Sequence, residues 1–309
     1  MLDVKRLGIL REVAARGSFS AAAESLYMSQ SAVSQQIATL EREVGMKLLE
    51  RTREGTRPTD AGRVLVEHAD AAIARLDEAE RELAAIAGLE GGEVRIASFP
   101  SASATLLTMA VSDFVERHPK VRLSVTEAEP EESMPRLRAG EIDLALTFDY
   151  PAVPGEDERD VERTLLLTES MHVALPKGHR LAGRAKVPMS ELGEDVWLSG
   201  DCPSSCGEMV KAACREAGFE PRVGFESDDY HVLQGFVAAG LGVTLLPDLA
   251  LPTLRSDIVV LPTDPPAPAR RVWAETRRTR SAATEAMLGV LVDAGERFAK
   301  QHARLVAVA

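Results

Sequence analysis

Aromatic residues are scarce in this chain. Phe, Trp and Tyr together make up 4% of its 309 residues, so any core must be built from Leu, Val, Ile and Ala. Cysteine is scarcer, three in all, an odd and small number that excludes a disulfide scaffold and points to a reducing compartment. No stretch approaches the ~18 uninterrupted apolar residues that a membrane helix requires. Asp3, Lys5 and Arg6 stand where an export signal needs apolar residues, so the expected location is the cytoplasm, with no membrane partner. Phosphate-binding glycine loops and the His-Glu-x-x-His pair are absent. The six His, at His68, His118, His172, His179, His231 and His302, show no ligand spacing. No metal and no other cofactor is expected, and no catalytic residue is assigned.

Positive charge is also in short supply: 36 Lys and Arg against 48 Asp and Glu give a formal net charge of −12. Such a balance disfavours non-specific attachment to DNA or to an anionic membrane. The deficit is uneven, because the first 62 residues hold nine basic and eight acidic side chains. A small, balanced head can still meet a groove, since phosphate contact depends on local geometry. Hydrophobic residues reach 45%, and the length is about right for two domains.

Residues 1–58 read as short helices joined by tight turns. Leu7, Leu10 and Val13 form a helical stripe that stops at Gly17, and Ser20 is placed to cap a second short helix. A longer stripe follows at Val33, Ile37, Leu40 and Val44, spaced by four, three and four, with Gly45 at the expected stop. That trio with its tight turn suits a helix-turn-helix. Arg51, Arg53, Gly55, Arg57 and Pro58 then read as a basic hairpin, or wing. The third helix presents Ser31, Ser34, Gln35, Ala38 and Arg42 opposite its apolar stripe. That face is small and polar, and Ser and Gln both donate and accept hydrogen bonds, as base edges in the major groove require. An ordinary polar surface is the alternative for this helix taken alone.

Residues 59–89 change character. Leu65, Ala69, Ala72, Leu76, Ala79, Leu83 and Ile86 alternate by four and three without a slip, an a/d seam that keeps one face toward a partner helix. The competing reading is an amphipathic helix lying on its own domain; the unbroken phase favours a dimer-forming linker. After Glu90-Gly91-Gly92-Glu93 the pattern becomes alternating strands and helices. Strands are expected near Val94–Ala97, Val121–Thr126, Ile142–Thr147, Met171–Leu175, Val196–Ser199, Arg222–Glu226, Val243–Leu246, Val259–Leu261 and Val272–Thr276. Strands separated by helices predict parallel sheets covered on both faces. The fold class is α/β with an N-terminal all-α winged helix-turn-helix, a linker helix and a two-lobed domain over 90–309. Lobe 1 is expected at about 93–165 and 270–309, lobe 2 at about 166–269, with the ligand in the cleft between them.

At this point the residues carry a family likeness. Gly17-Ser18-Phe19-Ser20-Ala21-Ala22-Ala23, Leu26, Ser29-Gln30-Ser31-Ala32-Val33-Ser34, Ile37, Leu40-Glu41, Val44-Gly45, Leu48-Leu49, Arg51, Arg57-Pro58-Thr59 and Gly62 form one long ordered pattern. It resembles the N-terminal signature of LysR-type transcriptional regulators. Phe114 with His118-Pro119, Gly140 with Ile142-Asp143-Leu144-Ala145, and Ala238-Ala239-Gly240-Leu241-Gly242-Val243 through Leu246-Pro247 extend the likeness along the chain. Leu49 departs from it, where the family usually has Phe. The resemblance implies a linker helix that pairs subunits and an effector domain like the two-lobed periplasmic binding proteins. It further implies homotetramers that bind an interrupted palindrome in double-stranded DNA, and it leaves contact with RNA polymerase open. Carried onto this chain, Ser31, Ser34 and Gln35 would face base edges. Gln30, Arg51, Arg53 and Arg57 would lie near phosphates, with Thr59 by the wing.

By the same layout the effector cleft would be walled by Pro100, Ser101 and Ser103 after the first strand and by Thr147. The second lobe would add Ser199, Cys202, Ser204, Ser205 and Tyr230. Hydroxyls and free N–H groups at helix starts suit a carboxylate, so the expected effector is a small organic acid. Each Ser taken singly is as readily a helix cap. Cys202, Cys206 and Cys214 offer a redox-responsive alternative within the same family, although their spacing differs from that of its peroxide sensors. From other classes stand a solute-binding receptor without DNA function, and a Cys-dependent enzyme with His231 as base.

Overall fold

The computed structural model describes residues 2–52, 55–86, 92–151, 153, 160–200 and 205–306. The expectations at Arg53, Cys202, Ser204 and the Glu90-Gly91 boundary fall outside those residues. Two compact units are present, Met1–Gly92 with Pro135–Ile142, and Glu93–Met134 with Asp143–Ala309.

The first unit opens with α1 (Val4–Arg16), whose N-terminal N–H groups are capped by the Asp3 carboxylate and whose end is turned by Gly17 in the left-handed region. Helix α2 (Phe19–Ser25) is capped by Ser18 rather than by Ser20. The left-handed Gly17 leaves Ser18 extended, so Phe19 is already helical and Ser20 sits inside the first turn. Helix α3 (Gln30–Val44) is capped by Ser29 and ends at the left-handed Gly45. Val33, Ile37 and Leu40 are buried against Leu10, Val13 and Ala22, so the seam read from the sequence is the one that packs. Strands β1 (Leu49–Thr52) and β2 (Gly55–Pro58) pair antiparallel as the wing, and Thr56 N–H donates to the Gly17 carbonyl. The unit continues into α4 (Asp60–Ile86), 27 residues and about 40 Å long. Gly62 in its first turn lets the helix approach the wing: a Cβ there would fall 2.0 Å from the Leu48 carbonyl oxygen.

After α4 the chain runs β3 (Glu93–Ser98), α5 (Pro100–Ala102), a π-helical turn (Ser103–Leu107), α6 (Thr108–Arg117), β4 (Arg122–Glu127), α7 (Pro130–Arg138), β5 (Leu144–Asp149), β6 (Val161–Glu169) and β7 (Met171–Pro176). There follow β8 (Val187–Pro188), β9 (Val196–Ser199), α8 (Ser205–Glu216), β10 (Arg222–Glu226), α9 (Tyr230–Ala238), β11 (Thr244–Pro247), β12 (Ile258–Leu261), β13 (Thr263–Asp264), β14 (Arg270–Arg277) and α10 (Ala282–Val306). Five strands form one sheet in the order β4-β3-β5-β14-β6, while β11-β7-β12 and β10-β9 build the other lobe.

The sheets are mixed rather than parallel. Strand β3 runs parallel to β4 and β5, but β14 is antiparallel to both β5 and β6, and β7 is antiparallel to β11 and β12. The physical reason is the double crossing between lobes. The chain leaves the first lobe along β6 straight into β7 and re-enters it along β14, which returns between β5 and β6 in the opposite direction to both. Strand β6 was not anticipated: its run Leu165-Leu166-Leu167 lacks the alternation that marks a strand. One core of Val94, Ile96, Phe114, Leu144, Leu146 and Leu291 fills the first lobe. Leu198, Leu233, Val237 and Leu246 pack in the second.

Candidate functional site

Two sites are built by these elements, one on α3 and one in the cleft of the effector unit. On α3, burial of Val33, Ile37 and Leu40 obliges the opposite face outward, and Gln30, Ser31, Ser34, Gln35, Ala38 and Arg42 are exposed. The Ser29 hydroxyl caps the helix and shares a 3.0 Å hydrogen bond with Ser31, which holds the first turn together. Arg42 folds onto its own helix, donating to the Ala38 carbonyl and the Thr39 hydroxyl. The upper turns are therefore left to Ser and Gln. Arg57 is exposed on β2. Arg51 lies on β1, with its side chain outside the described set. Thr59 has its hydroxyl in use: it donates to the Lys47 carbonyl and accepts from Gly62 N–H, closing the wing onto α4.

Along α4 the apolar seam divides. Ala69 is fully buried in the head, whereas Leu76 is 47% exposed and Ala72 and Ala79 are exposed. Beside the wing, Val44, Met46, Leu48, Val64 and Leu65 line an open groove of about 380 Å³. Met46 and Val64 are each 57% exposed there.

In the cleft, the strand phase of β14 sends Arg270 inward together with Val272 and Ala274, and all three are fully buried. Its Nε donates to Glu169 at 2.6 Å and its Nη2 to the Ser101 hydroxyl at 3.0 Å. Its guanidinium lies 5.0 Å from the ring centres of both Phe99 and Phe148 and 5.9 Å from that of Tyr230. Glu169 in turn accepts from the Leu249 N–H at 2.7 Å. One ion pair thus joins the loop after β3 to the segment after β11. Cys206 stands beside it, within 3.5 Å of the Tyr150 hydroxyl and 3.8 Å of the Tyr230 hydroxyl.

Burial raises the Glu169 carboxyl above the usual carboxylate range even against the pull of Arg270. It pushes the Glu129 carboxyl up to about 8, helped by Asp228 and Glu131. The Cys206 thiol is pushed up to about 11 and that of Cys214 to about 12, burial being the first cause in both. Burial thus works against the thiolate at Cys206 and Cys214, the form that a peroxide-reactive cysteine needs, while Cys202 lies outside the described residues.

The structure brings Ser101, Ser199 and Tyr230 to this cleft. Tyr230 separates two small cavities, of about 10 Å³ beside Ser199 and Cys206 and about 20 Å³ beside Pro100 and Ser101. Ser103 donates to the Ser98 carbonyl, and Ser205 donates to Glu131. Thr147 turns to the opposite sheet face, where it donates to Glu275 at 2.5 Å. Arg270 and Glu169 were missed. The available signal was a charged residue in the buried phase of a strand, at Arg270-x-Val272-x-Ala274.

A helix-turn-helix head with a wing, a long helix and a two-lobed unit with a buried cation are the parts of a DNA-binding regulator with a ligand domain. The chain belongs to the LysR family of transcriptional regulators. Residues 4–63 match the bacterial regulatory helix-turn-helix protein, lysR family, and residues 87–296 match the LysR substrate binding domain. It is 30% identical to the transcriptional dual regulator GltC of Bacillus subtilis, covering 80% of this chain and 81% of GltC. It is also 30% identical to the hydrogen peroxide-inducible genes activator of Dickeya chrysanthemi, over 88% of each chain. The fold is that of CbnR, a LysR family transcriptional regulator, in complex with its target DNA, with TM-score 0.63 at 21% identity over 96% of this chain and 100% of CbnR. Full-length OxyR from Pseudomonas aeruginosa superposes with TM-score 0.70 at 23% identity over 96% and 95%. Among the described residues, no helix is long and apolar enough to cross a membrane.

Proposed function

We propose that this regulator pairs through α4, assembles as a dimer of dimers on an interrupted palindrome, and has its operator affinity set by a small organic acid in the cleft. The observation that carries the DNA half is the outward face of α3. Its exposed Ser31, Ser34 and Gln35 stand over a buried seam, with long charged side chains kept away from the first turns. Such a face approaches base edges closely, while Arg51, Arg53 and Arg57 of the wing meet phosphates. Pairing is supported by the exposed Leu76, Ala72 and Ala79, which continue a seam already packed at Ala69. The second copy's α4 is the occupant this face suits. The effector half is supported by the buried Arg270 and its contact with Ser101.

A footprint on DNA flanking the protein's own gene tests the reading, which requires two protected half-sites. Gln35→Ala should lower the ratio of operator to random-DNA affinity about tenfold, because one base contact is worth about 1–3 kcal/mol. Arg57→Ala should weaken binding to every duplex and lower the salt slope by about one unit. Equal losses on both DNAs for Gln35→Ala would remove it from readout. The solute-receptor alternative predicts no footprint at all.

A further inference from the structure

The cleft encloses a cation–anion pair that closes it, and the pair has a consequence for anything that enters. Arg270 and Glu169 are each about 1% exposed, and together they are neutral. The hydrogen bonds of Arg270 engage its Nε and Nη2, while the faces of Phe99, Phe148 and Tyr230 surround the rest of the guanidinium. Glu169 sits at the last residue of β6, opposite Arg270 at the first residue of β14. The chain crosses between lobes on either side of this point, at Ser170 and over 265–269. Glu169 also holds the Leu249 N–H of the second lobe, and Arg270 holds Ser101 of the first. Breaking the pair therefore releases a contact with each lobe at the hinge.

We infer that a carboxylate effector takes Arg270 in exchange for Glu169, and that Glu169 accepts a proton from solvent as it is displaced. The inference rests on the small-acid reading of the cleft. Its warrant is charge. A second carboxylate beside a neutral buried pair would leave one net negative charge in an apolar enclosure, which is costly unless a group neutralises. Glu169 is the group placed to do so. Asp248 faces it, its carboxylate bonded to Ser170 N–H at 3.0 Å and to His172 at 2.6 Å. Tyr230 faces it from α9, its hydroxyl kept in the neutral form by burial, and Cys206 of α8 lies beside Tyr230. Glu129 is another carboxyl near Arg270, and burial pushes it up to about 8. Glu169 thus has one cation facing it, and the effector competes for that cation. The rings around Arg270 favour an aromatic or compact monocarboxylate over an extended diacid.

The test is titration calorimetry of the full-length protein with acetate, benzoate and succinate, in buffers of differing ionisation enthalpy near pH 7. Wild type should take up close to one proton, and its affinity should fall about tenfold per pH unit above neutrality. Glu169→Gln should bind the same acid at least as tightly with no proton uptake. Arg270→Gln should lose about 10–100-fold in affinity. An acid bound by wild type without proton uptake, or bound equally by Arg270→Gln, overturns the exchange while the small-acid reading stands. Uptake that persists in Glu169→Gln and vanishes in Glu129→Gln assigns the proton elsewhere and also overturns it. If wild type binds none of the three while still binding operator, the small-acid reading itself fails. A wild-type count of no proton overturns the exchange even if a variant folds poorly.

Discussion

Glu41 is a buried carboxylate on α3. It is 9% exposed, receives Lys47 Nζ at 2.6 Å, and accepts the backbone N–H of Leu48 at 3.0 Å and of Leu49 at 3.4 Å. It therefore fastens the end of α3 to the start of the wing. Burial alone would push its carboxyl up, but the Lys47 hydrogen bond and then the two N–H groups outweigh it and hold it below the usual range. A carboxyl depressed in the folded state contributes stability above its unfolded value of about 4.3, and that contribution is lost as pH falls through the lower folded value. Glu41→Ala should cost about 1–3 kcal/mol at pH 7 by stranding the Leu48 donor. The gap between the urea midpoints of wild type and variant should close as pH drops below 4. A pH-independent gap would mean that packing, not the carboxylate, is what the substitution removes. The sequence gives little warning of this role, because Glu41 follows Leu40 on what reads as a solvated flank. Arg270 was hidden differently, since its strand is short of apolar neighbours on the Pro-rich side that precedes it.

At the scale of elements, α1 and α3 were legible because each carries its own stripe and a glycine stop, whereas the start of α2 was read at Ser20 and lies at Ser18. Asp3, Ser29, Gly17 and Gly45 occupy the caps that local geometry demands. The effector strands were harder. Strand β6 lacks alternation, and the antiparallel placement of β14 depends on a lobe crossing that no local spacing records. Thr147 shows the same limit: its place on β5 was read closely, yet which sheet face it joins depends on one residue of register. The linker helix is the element where sequence and fold leave a testable remainder. Leu76 is 47% exposed, so pairing has about half its side chain left to bury, roughly 1 kcal/mol per copy. Leu76→Glu adds the cost of a charge on an apolar seam. The variant should sediment as monomer at concentrations where wild type is paired, with its circular dichroism unchanged. Undiminished association would place the subunit contact on another face.

For the whole molecule, the charge distribution and the stalk argue together. A formal net charge of −12 weakens every non-specific encounter with DNA, so a single balanced head gains little from a duplex. If subunits pair along α4 as proposed, useful affinity depends on two heads engaging at once and on that helix fixing their separation. Half-sites on one face of B-DNA recur every 10–10.5 base pairs, so the phase of the spacer should matter more than its length. Adding about five base pairs between the half-sites turns one of them to the far side of the duplex, and affinity should fall at least tenfold in a gel shift. Adding about ten should restore part of it, because phase is recovered while separation is not. The Leu76→Glu protein, with its heads uncoupled, should bind all three spacers weakly and alike. Wild-type binding that ignored spacer phase would mean that each head reads its half-site alone, and the rigid pairing along α4 would have no part in recognition.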